Sequence, residues 1–271
     1  MCSVLGVSPS GYYDHRRRQP SARALRDDEL RAMIVEVHEF SMQTYGYRRI
    51  RAELARRGVS VNAKHVRRLM RLAGIQGHTP RMKRRVHQIT AVGVHAPDLV
   101  LRDWNPTQPN KLWVADITYI RTWQGWLYLA AIMDAHSRRV VGWSMQPHMR
   151  AELVQDALDM AVGRRRPAPG LVHHTDHGSQ YTALTFGAEL RRHGIEPSMG
   201  RVKTCYDNAV AESFFATLKK DLVNRYAWPT RHDAQTAIFD FIERWYNNLR
   251  LHSTLGYVSP AEFEQLTQAV S

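Results

Sequence analysis

The stretch that decides the fold covers residues 173–220. It opens with HHTDHGSQY at 173–181 and closes with PSMGRVKTCYDNAVAESFFATLKK at 197–220. Asp176 lies in a Gly-containing turn, directly after a short apolar run that predicts a strand. Glu212 lies in a segment with helical spacing of apolar residues, and 35 residues separate the two acids. Two carboxylates placed in this way indicate a site for a cation.

A third carboxylate, Asp116, occupies the middle of LWVADITYI at 112–120, a run whose composition predicts a strand. A carboxylate in such a strand is costly to bury unless it pairs or binds a cation. Each acid taken alone also has an ordinary explanation. Asp116 would bond backbone or solvent at a sheet edge, Asp176 would form an Asx turn, and Glu212 would lie on a solvated helix face.

Taken together, the three acids predict a metal site for phosphodiester chemistry. That chemistry needs hard, anionic oxygen ligands that hold two divalent ions about 3.5–4 Å apart. No histidine base is then required, so His173, His174 and His177 are expected beside the site or facing DNA rather than as ligands. Asp134, at the end of another predicted strand, competes for a carboxylate role, and we interpret it as a turn or structural acid.

Charge is distributed unevenly along the chain, which has 271 residues and a formal net charge of +13. Residues 1–100 hold 19 Lys and Arg against 8 Asp and Glu, whereas residues 101–271 hold 19 against 17. A basic front half on a nearly neutral back half indicates a nucleic-acid-binding arm joined to a folded core.

The two cysteines exclude a disulfide framework, and no apolar run resembles a membrane span or signal peptide.

The front of the chain reads as a helical region. After a turn signal at residues 8–11, apolar spacing predicts helices at about 22–40, 47–57 and 63–73. A helix, a turn at Gly58 and a basic helix are typical of a helix-turn-helix. The third helix would then enter a DNA groove or follow phosphates; otherwise the region is a small bundle whose charges face water. The DNA-facing candidates are Lys64, Arg67, Arg68 and Arg71.

Composition and patterning divide the chain into four parts. Residues 1–75 form a helical, helix-turn-helix-like DNA-binding region, 76–110 a basic, Pro-containing linker, 111–225 the catalytic core and 226–271 a C-terminal tail with one clear helix. Within the core, three strands, helix, strand, helix, strand, helix is the order of an α/β, ribonuclease-H-like fold, with a mixed sheet and helices on both faces. Several α/β folds share pieces of that order.

Specific motifs run through almost the whole chain, from about residue 4 to residue 263. They are TYGYRRIRAEL at 44–54, LWVADITYI at 112–120, AAIMDAHSRRVVGW at 130–143, HTDHGSQY at 174–181, CYDNAVAESFFATLK at 205–219 and YNNLRLHSTLGYVSPAEF at 246–263. With these motifs the chain resembles the B-frame transposases of IS3-family insertion sequences, within the retroviral-integrase superfamily that has a DDE catalytic core. The spacing of 35 residues between Asp176 and Glu212 matches that family's signature spacing.

The resemblance implies a ribonuclease-H-like core that uses Mg²⁺ or Mn²⁺, two ions per active site. It implies DNA cleavage at element ends followed by strand transfer of the freed 3′-hydroxyl. Asp116, Asp176 and Glu212 are then the catalytic, metal-binding triad, and Lys219 contacts DNA. His177 stands where the family often has Arg, which alters DNA contact near Asp176 without removing a ligand. The paired cysteines of an integrase-type zinc domain are absent from the sequence.

Partners also follow from the resemblance. They are double-stranded DNA, as element ends and as target, and further copies of the chain, because two ends must be held together. An upstream A-frame product, often fused by frameshifting, carries the family's helix-turn-helix and leucine zipper; no sustained heptads occur here. We expect a cytoplasmic bacterial protein without a membrane partner, associated with the nucleoid when bound to DNA.

Two other functions stay open at this point. A ribonuclease-H-like nuclease would share the fold and the metals, although the basic front half and the spacing of the acids favour a transposase. A non-catalytic, DNA-binding regulator of transposition would keep its function after replacement of all three acids.

Overall fold

The structure is a computed structural model, and it divides into two compact units, Met1–His78 and Thr79–Ser271. The finer division into four parts made from composition stays a prediction. Within the part of the chain that is described, no helix is both long and apolar enough to cross a membrane. The described residues are 2, 4–78, 96–100, 103–176, 184–200 and 209–269.

The N-terminal unit is helical, and three of its helices pack on one another. The side chains between them are shielded from solvent, with Ile34, Ile50 and Val66 at 0% exposure. Asn62 caps the last helix, since its side chain accepts a hydrogen bond from the backbone N–H of Lys64 at 2.8 Å. The helices are α1 (Pro9–Arg17), α2 (Ala22–Phe40), α3 (Tyr47–Arg56) and α4 (Ala63–Leu72), and the packed three are α2, α3 and α4.

Helix α1 was not predicted, because only a turn was expected over residues 8–11. Ser8 is its N-cap and accepts a hydrogen bond from the Gly11 N–H at 3.0 Å, and Pro9 occupies the first helical position. A Ser-Pro pair is a good helix start. The signal was missed because residues 9–17 contain few apolar side chains.

The second unit is built on a five-stranded mixed sheet with the order β3-β2-β1-β4-β5. The first three strands form an antiparallel meander, and β4 pairs in parallel with both β1 and β5. This confirms the predicted mixed sheet and the predicted succession of elements. The strands are β1 (Leu112–Thr122), β2 (Gly125–Asp134), β3 (Val140–Gln146), β4 (Leu171–Thr175) and β5 (Ile195–Met199).

Helices cover both faces of this sheet. Helices α5 and α6 share a core with the odd-numbered side chains of β1, such as Trp113 and Ala115. Helices α7 and α8 pack against β1 and β2. Gly142 allows the close approach of α5 to β3, because a Cβ there would lie 2.2 Å from the Ala157 carbonyl oxygen. The helices are α5 (Ala151–Arg165), α6 (Leu184–Arg192), α7 (Ala209–Asp221), α8 (Arg231–Asp240) and α9 (Pro260–Gln268).

Two elements of this unit differ from the prediction. Helix α5 continues to Arg165, whereas the sequence predicts a helix only over 151–162 and a Pro-containing loop over 163–170, because the last turn of α5 makes the ion pairs described below. The tail holds two α-helices rather than one clear helix. Helix α8 continues into a π-helical turn, Phe241–Tyr246, and α9 begins at Pro260, with Ser259 accepting a hydrogen bond from the Glu262 N–H at 3.2 Å.

Candidate active site

Asp116 lies in β1, the central strand of the sheet. Asp116 pairs with Ala131 of β2. On its other edge β1 pairs with β4, and the last pair there joins Val114 of β1 to His174 of β4. Asp116 and Asp176 each lie two residues beyond that last parallel pair. The register therefore places the two acids at the same level, where β4 ends and the chain leaves the sheet.

Glu212 comes from the helix that covers the same side of the sheet. Side chains alternate along a strand, so Asp116 faces away from the α5–α6 core to which Trp113 and Ala115 belong. Helix α7 packs against β1, and Glu212 lies in its first turn. The helix buries Val210, Phe214 and Leu218, while Glu212 is exposed. Glu212 thus lies off the apolar stripe, as predicted.

Electrostatics shows that the three acids lie near one another. Desolvation raises the pKa of Asp116 to about 7, and the charge of Asp176 is the next cause, with a further upward contribution from Glu212. Two groups oppose the rise in pKa. The Ile117 backbone N–H donates a hydrogen bond to Asp116 at 2.7 Å, and the charge of Lys219 also favours the ionised form. The structure thus brings Asp116, Asp176, Glu212 and Lys219 into one electrostatic cluster.

Lys219 also contacts an aromatic side chain. Its Nζ atom lies 5.2 Å from the centroid of the Tyr119 ring, a cation–π distance. Lys219 stands in the last turn of α7, and Glu212 in the first, so the two mark opposite ends of the helix. The positive charge is close enough to Asp116 to influence its pKa. Contact between Lys219 and DNA stays a prediction.

Both histidines of β4 are buried, and their expected position beside the site or facing DNA stays a prediction. His173 is buried, meets the Phe186 ring of α6 at 5.6 Å between centroids, and has a pKa lowered to about 3 by burial and by His174. His174 is also buried, against Trp104, and its Nδ1 lies 2.8 Å from the Ser198 hydroxyl. Both belong to the interior of the sheet layers. His177 lies outside the described residues.

Asp134, the competing carboxylate, has a structural role, in agreement with its interpretation. It has 0% exposure and accepts hydrogen bonds from the backbone N–H groups of Asn110 at 2.8 Å and His136 at 2.9 Å. The Arg165 guanidinium lies 3.3 Å away. Burial raises the pKa of Asp134, and these donors offset part of that rise.

A buried ionic cluster around Glu264 was not predicted from the sequence. Glu264, on α9, accepts hydrogen bonds from the Ser137 hydroxyl at 2.7 Å, from Arg139 at 2.8 Å and from two nitrogens of Arg165 at 2.8 and 2.9 Å. Burial alone would raise the pKa of Glu264, but Arg165 and the other donors outweigh it and lower the pKa. The cluster fastens α9 to α5 and to the loop after β2. More than 90 residues separate Glu264 from its partners, so no local sequence pattern predicts this cluster.

The basic candidates on α4 fall into two groups. Lys64, Arg67 and Arg71 are exposed, and their spacing of three and four residues places them along one side of the helix. Arg68 instead donates to the Asp27 carboxylate of α2 at 2.5 Å, and His65 lies 2.6 Å from the same group. The pairing lowers the pKa of Asp27, chiefly through Arg68. Arg68 is therefore engaged inside the unit, while the other three form an exposed basic stripe.

Comparison with known families agrees with this architecture. Residues 106–205 match the family model described as an integrase core domain, and residues 193–260 match a second integrase core model. Residues 25–83 match a model described as an HTH-like domain. These matches, together with the mixed five-stranded sheet, confirm the ribonuclease-H-like fold class with a helix-turn-helix-like front region.

Among solved structures, the HTLV-2 integrase catalytic core domain in complex with magnesium is similar to part of this chain. The TM-score is 0.44 at 18% sequence identity, and the superposition covers 58% of this chain and 97% of that domain.

Relatives that match nearly the whole chain have higher sequence identity than that solved structure. A 31 kDa protein of insertion element IS600 from Shigella sonnei is 40% identical over 265 residues, which covers 98% of this chain and 97% of that protein. The transposase InsF of insertion sequence IS3A from Escherichia coli K12 is 37% identical over 270 residues, covering 97% and 92% respectively. With identity of this level along almost its whole length, the chain belongs to the IS3 family of insertion-sequence transposases.

Proposed function

We propose that the chain is a metal-dependent polynucleotidyl transferase that cleaves DNA at insertion-sequence ends and joins the freed 3′-hydroxyl to target DNA. Asp116, Asp176 and Glu212 are the catalytic, metal-binding residues in this proposal. The observation that carries it is the electrostatic cluster at Asp116. A carboxylate whose pKa is raised to about 7 by burial and by two neighbouring acids is in a poor environment for an anion.

Divalent cations fit these residues. The three carboxylates offer hard oxygen ligands, which suit Mg²⁺ or Mn²⁺ rather than a softer metal. Burial and the repulsion from Asp176 and Glu212 raise the pKa of Asp116, and a bound cation would offset that repulsion. The free energy needed to keep the three acids ionised is therefore lower with the metal than without it. Two ions per site are proposed; when bound, they supply activation of the attacking water or 3′-hydroxyl and stabilisation of the leaving oxygen.

The protein's own groups bind and orient the DNA. The Ile117 N–H holds the Asp116 carboxylate in a fixed orientation, because the hydrogen bond is short at 2.7 Å. Lys219 binds a phosphate beside the carboxylates and offsets part of their negative charge. In the N-terminal unit, the basic stripe of Lys64, Arg67 and Arg71 binds the phosphate backbone. At least two copies of the chain act together, since both ends of an element must be joined.

The test is strand transfer with purified protein, Mn²⁺ and labelled, pre-cut DNA ends. Joined product is expected from the wild type and none from Glu212→Gln, because the amide removes an anionic ligand while keeping the side chain's shape. Glu152→Gln is the matched control and should retain activity. Glu152 is likewise an exposed glutamate in the first turn of a helix, α5, but it is not among the charges that perturb Asp116.

Other outcomes identify the alternatives. Full product from Glu212→Gln would contradict the metal-carboxylate proposal. DNA binding without product from either protein would support the regulator, unless fusion with the upstream A-frame product restores joining. Cleavage of an RNA–DNA hybrid in preference to DNA ends would support a ribonuclease-H-like nuclease.

A further inference from the structure

Exposed aromatic side chains are concentrated on the β1–β2 hairpin. Tyr119 is 44% exposed, Trp126 is 45% exposed and Trp123, in the turn, is 77% exposed. Scattered apolar residues on a surface are normal, but three large rings within eight residues of one hairpin form a patch. The rings of Tyr119 and Trp126 are in edge contact, with centroids 5.1 Å apart. Such a patch is typical of a binding surface.

The backbone of the hairpin is held in place, so the exposure of the rings does not come from a loose loop. The Trp123 N–H donates to the Trp228 carbonyl at 3.0 Å. Arg231, at the start of α8, donates through its backbone N–H to Gln124 at 3.0 Å and through Nε to the Trp126 carbonyl at 3.1 Å. The rings are thus presented to solvent from a fixed support, which lowers the entropy cost of binding a flat ligand.

The aromatic patch is connected to the carboxylates through Lys219. Tyr119 follows Asp116 by three residues on β1, about 10 Å along the strand, and alternation places its side chain on the opposite face of the sheet. Lys219 joins the two, because its charge acts on Asp116 while its Nζ lies 5.2 Å from the Tyr119 ring. Lys219 therefore links the carboxylates on one face of the sheet to the aromatic rings on the other. Trp126 pairs with Arg121, five residues beyond Asp116, so it lies about 17 Å along the strand, or roughly five nucleotide steps of 3.4 Å in one DNA strand.

We propose that Trp126 and Trp123, with Tyr119 beside them, bind an unpaired base of the DNA whose phosphodiester lies at Asp116. This inference rests on the proposed transferase function. Bases inside a duplex are already stacked on their neighbours, so only an unpaired or displaced base offers a free face to an indole ring. Lys219 binds the phosphate between that base and the carboxylates. The hairpin thereby keeps strands apart at about five nucleotides from the reacting bond.

The experiment compares three fluorescent DNAs by anisotropy with the full chain at fixed salt and without divalent metal. The first is a blunt duplex, the second carries a single-stranded extension of about four nucleotides, and the third carries an equally long abasic extension. The abasic probe adds the same phosphates without bases, so it removes the purely electrostatic contribution. Wild-type protein should bind the base-containing extension about tenfold more tightly than the abasic one.

Variants of the hairpin test whether the tryptophans cause the preference for the base-containing extension. Trp126→Ala and Trp123→Ala should each reduce the preference for bases several-fold, with blunt-duplex binding unchanged, and Trp126→Phe should keep most of it. Phe239→Ala is the matched control and should behave as wild type, since Phe239 is 46% exposed in the same unit but lies on α8. Retention of the preference in both tryptophan-to-alanine variants, or no preference in the wild type, would overturn the proposal. So would unchanged DNA binding accompanied by a change in oligomer size, which would assign the rings to a subunit contact.

Failure of this proposal can be distinguished from failure of the transferase proposal. Base discrimination by the wild type without joined product under any condition would count against the transferase alone. If joined product requires Glu212 but the protein does not discriminate bases, only the proposal that the hairpin tryptophans bind an unpaired base is contradicted.

Discussion

Asp116 is the residue where folding and the proposed function conflict most directly. Its pKa of about 7 lies above the ordinary value of 3.8, so the folded protein holds a proton there more tightly than the unfolded chain does. As the pH rises from about 4 to 7, the unfolded state loses that proton first, and the stability of the fold falls. Above pH 7 the full penalty of an ionised Asp116 is present.

Replacing Asp116 with Asn should therefore stabilise the metal-free protein while abolishing joining. At pH 8 we expect a gain of about 1–2 kcal/mol in the free energy of unfolding, which shrinks towards zero near pH 4. Urea unfolding of both proteins in EDTA at the two pH values measures the difference. Adding Mg²⁺ should reduce the gain, because the wild type alone then recovers binding energy. A variant less stable than wild type at pH 8 would contradict this account of the site.

At the scale of elements, α9 depends on one buried acid. Glu264 is 4% exposed and bonds Ser137, Arg139 and Arg165, so its removal takes a carboxylate partner from two guanidinium groups, of which Arg165 keeps Asp134 at 3.3 Å. We expect Glu264→Ala to lower the free energy of unfolding by about 3–5 kcal/mol. Chemical denaturation measures it, and Gln265→Ala, the exposed neighbour on α9, should have little effect. A loss below about 1 kcal/mol would show that α9 is held mainly by other contacts.

Helix α4 carries the second prediction at this scale. Replacing Lys64, Arg67 and Arg71 together with Ala should weaken DNA binding and reduce the slope of log affinity against log salt by about 2–3, since each phosphate contact releases close to one counterion. Titrations at several salt concentrations measure the slope. Arg31→Ala is the control, because that exposed arginine is already paired with Asp28 at 2.9 Å. An unchanged slope in the triple variant would show that the three side chains of the stripe face solvent and make no phosphate contacts.

At the scale of the whole molecule, the two compact units have separate cores. Ile34 and Ile50 belong to the N-terminal unit, whereas Trp113 and Phe186 belong to the sheet unit. We expect two calorimetric unfolding transitions, of which Glu264→Ala lowers only the one that belongs to the sheet unit. A single transition with equal calorimetric and van't Hoff enthalpies would contradict this independence.

Local patterns were sufficient for most elements and for the choice of the three acids. Helix and strand follow from apolar spacing over a few residues, and the place of Asp116 within an apolar strand is visible in nine letters of sequence. Helix α1 and helix α9 were missed although both begin with a Ser-Pro pair, a capping signal that apolar spacing does not measure.

The sequence by itself determined the family and the order of the elements and selected three acids as candidates, because these depend on neighbours along the chain. Only the tertiary structure decided that Asp116 and Asp176 lie at one level of adjacent strands and that Glu212 approaches from α7. It also showed that Asp134 is a structural acid and that His173 lies in the core. Strand register and burial are set by contacts between residues far apart in sequence, and a local pattern contains no information about which of them will meet.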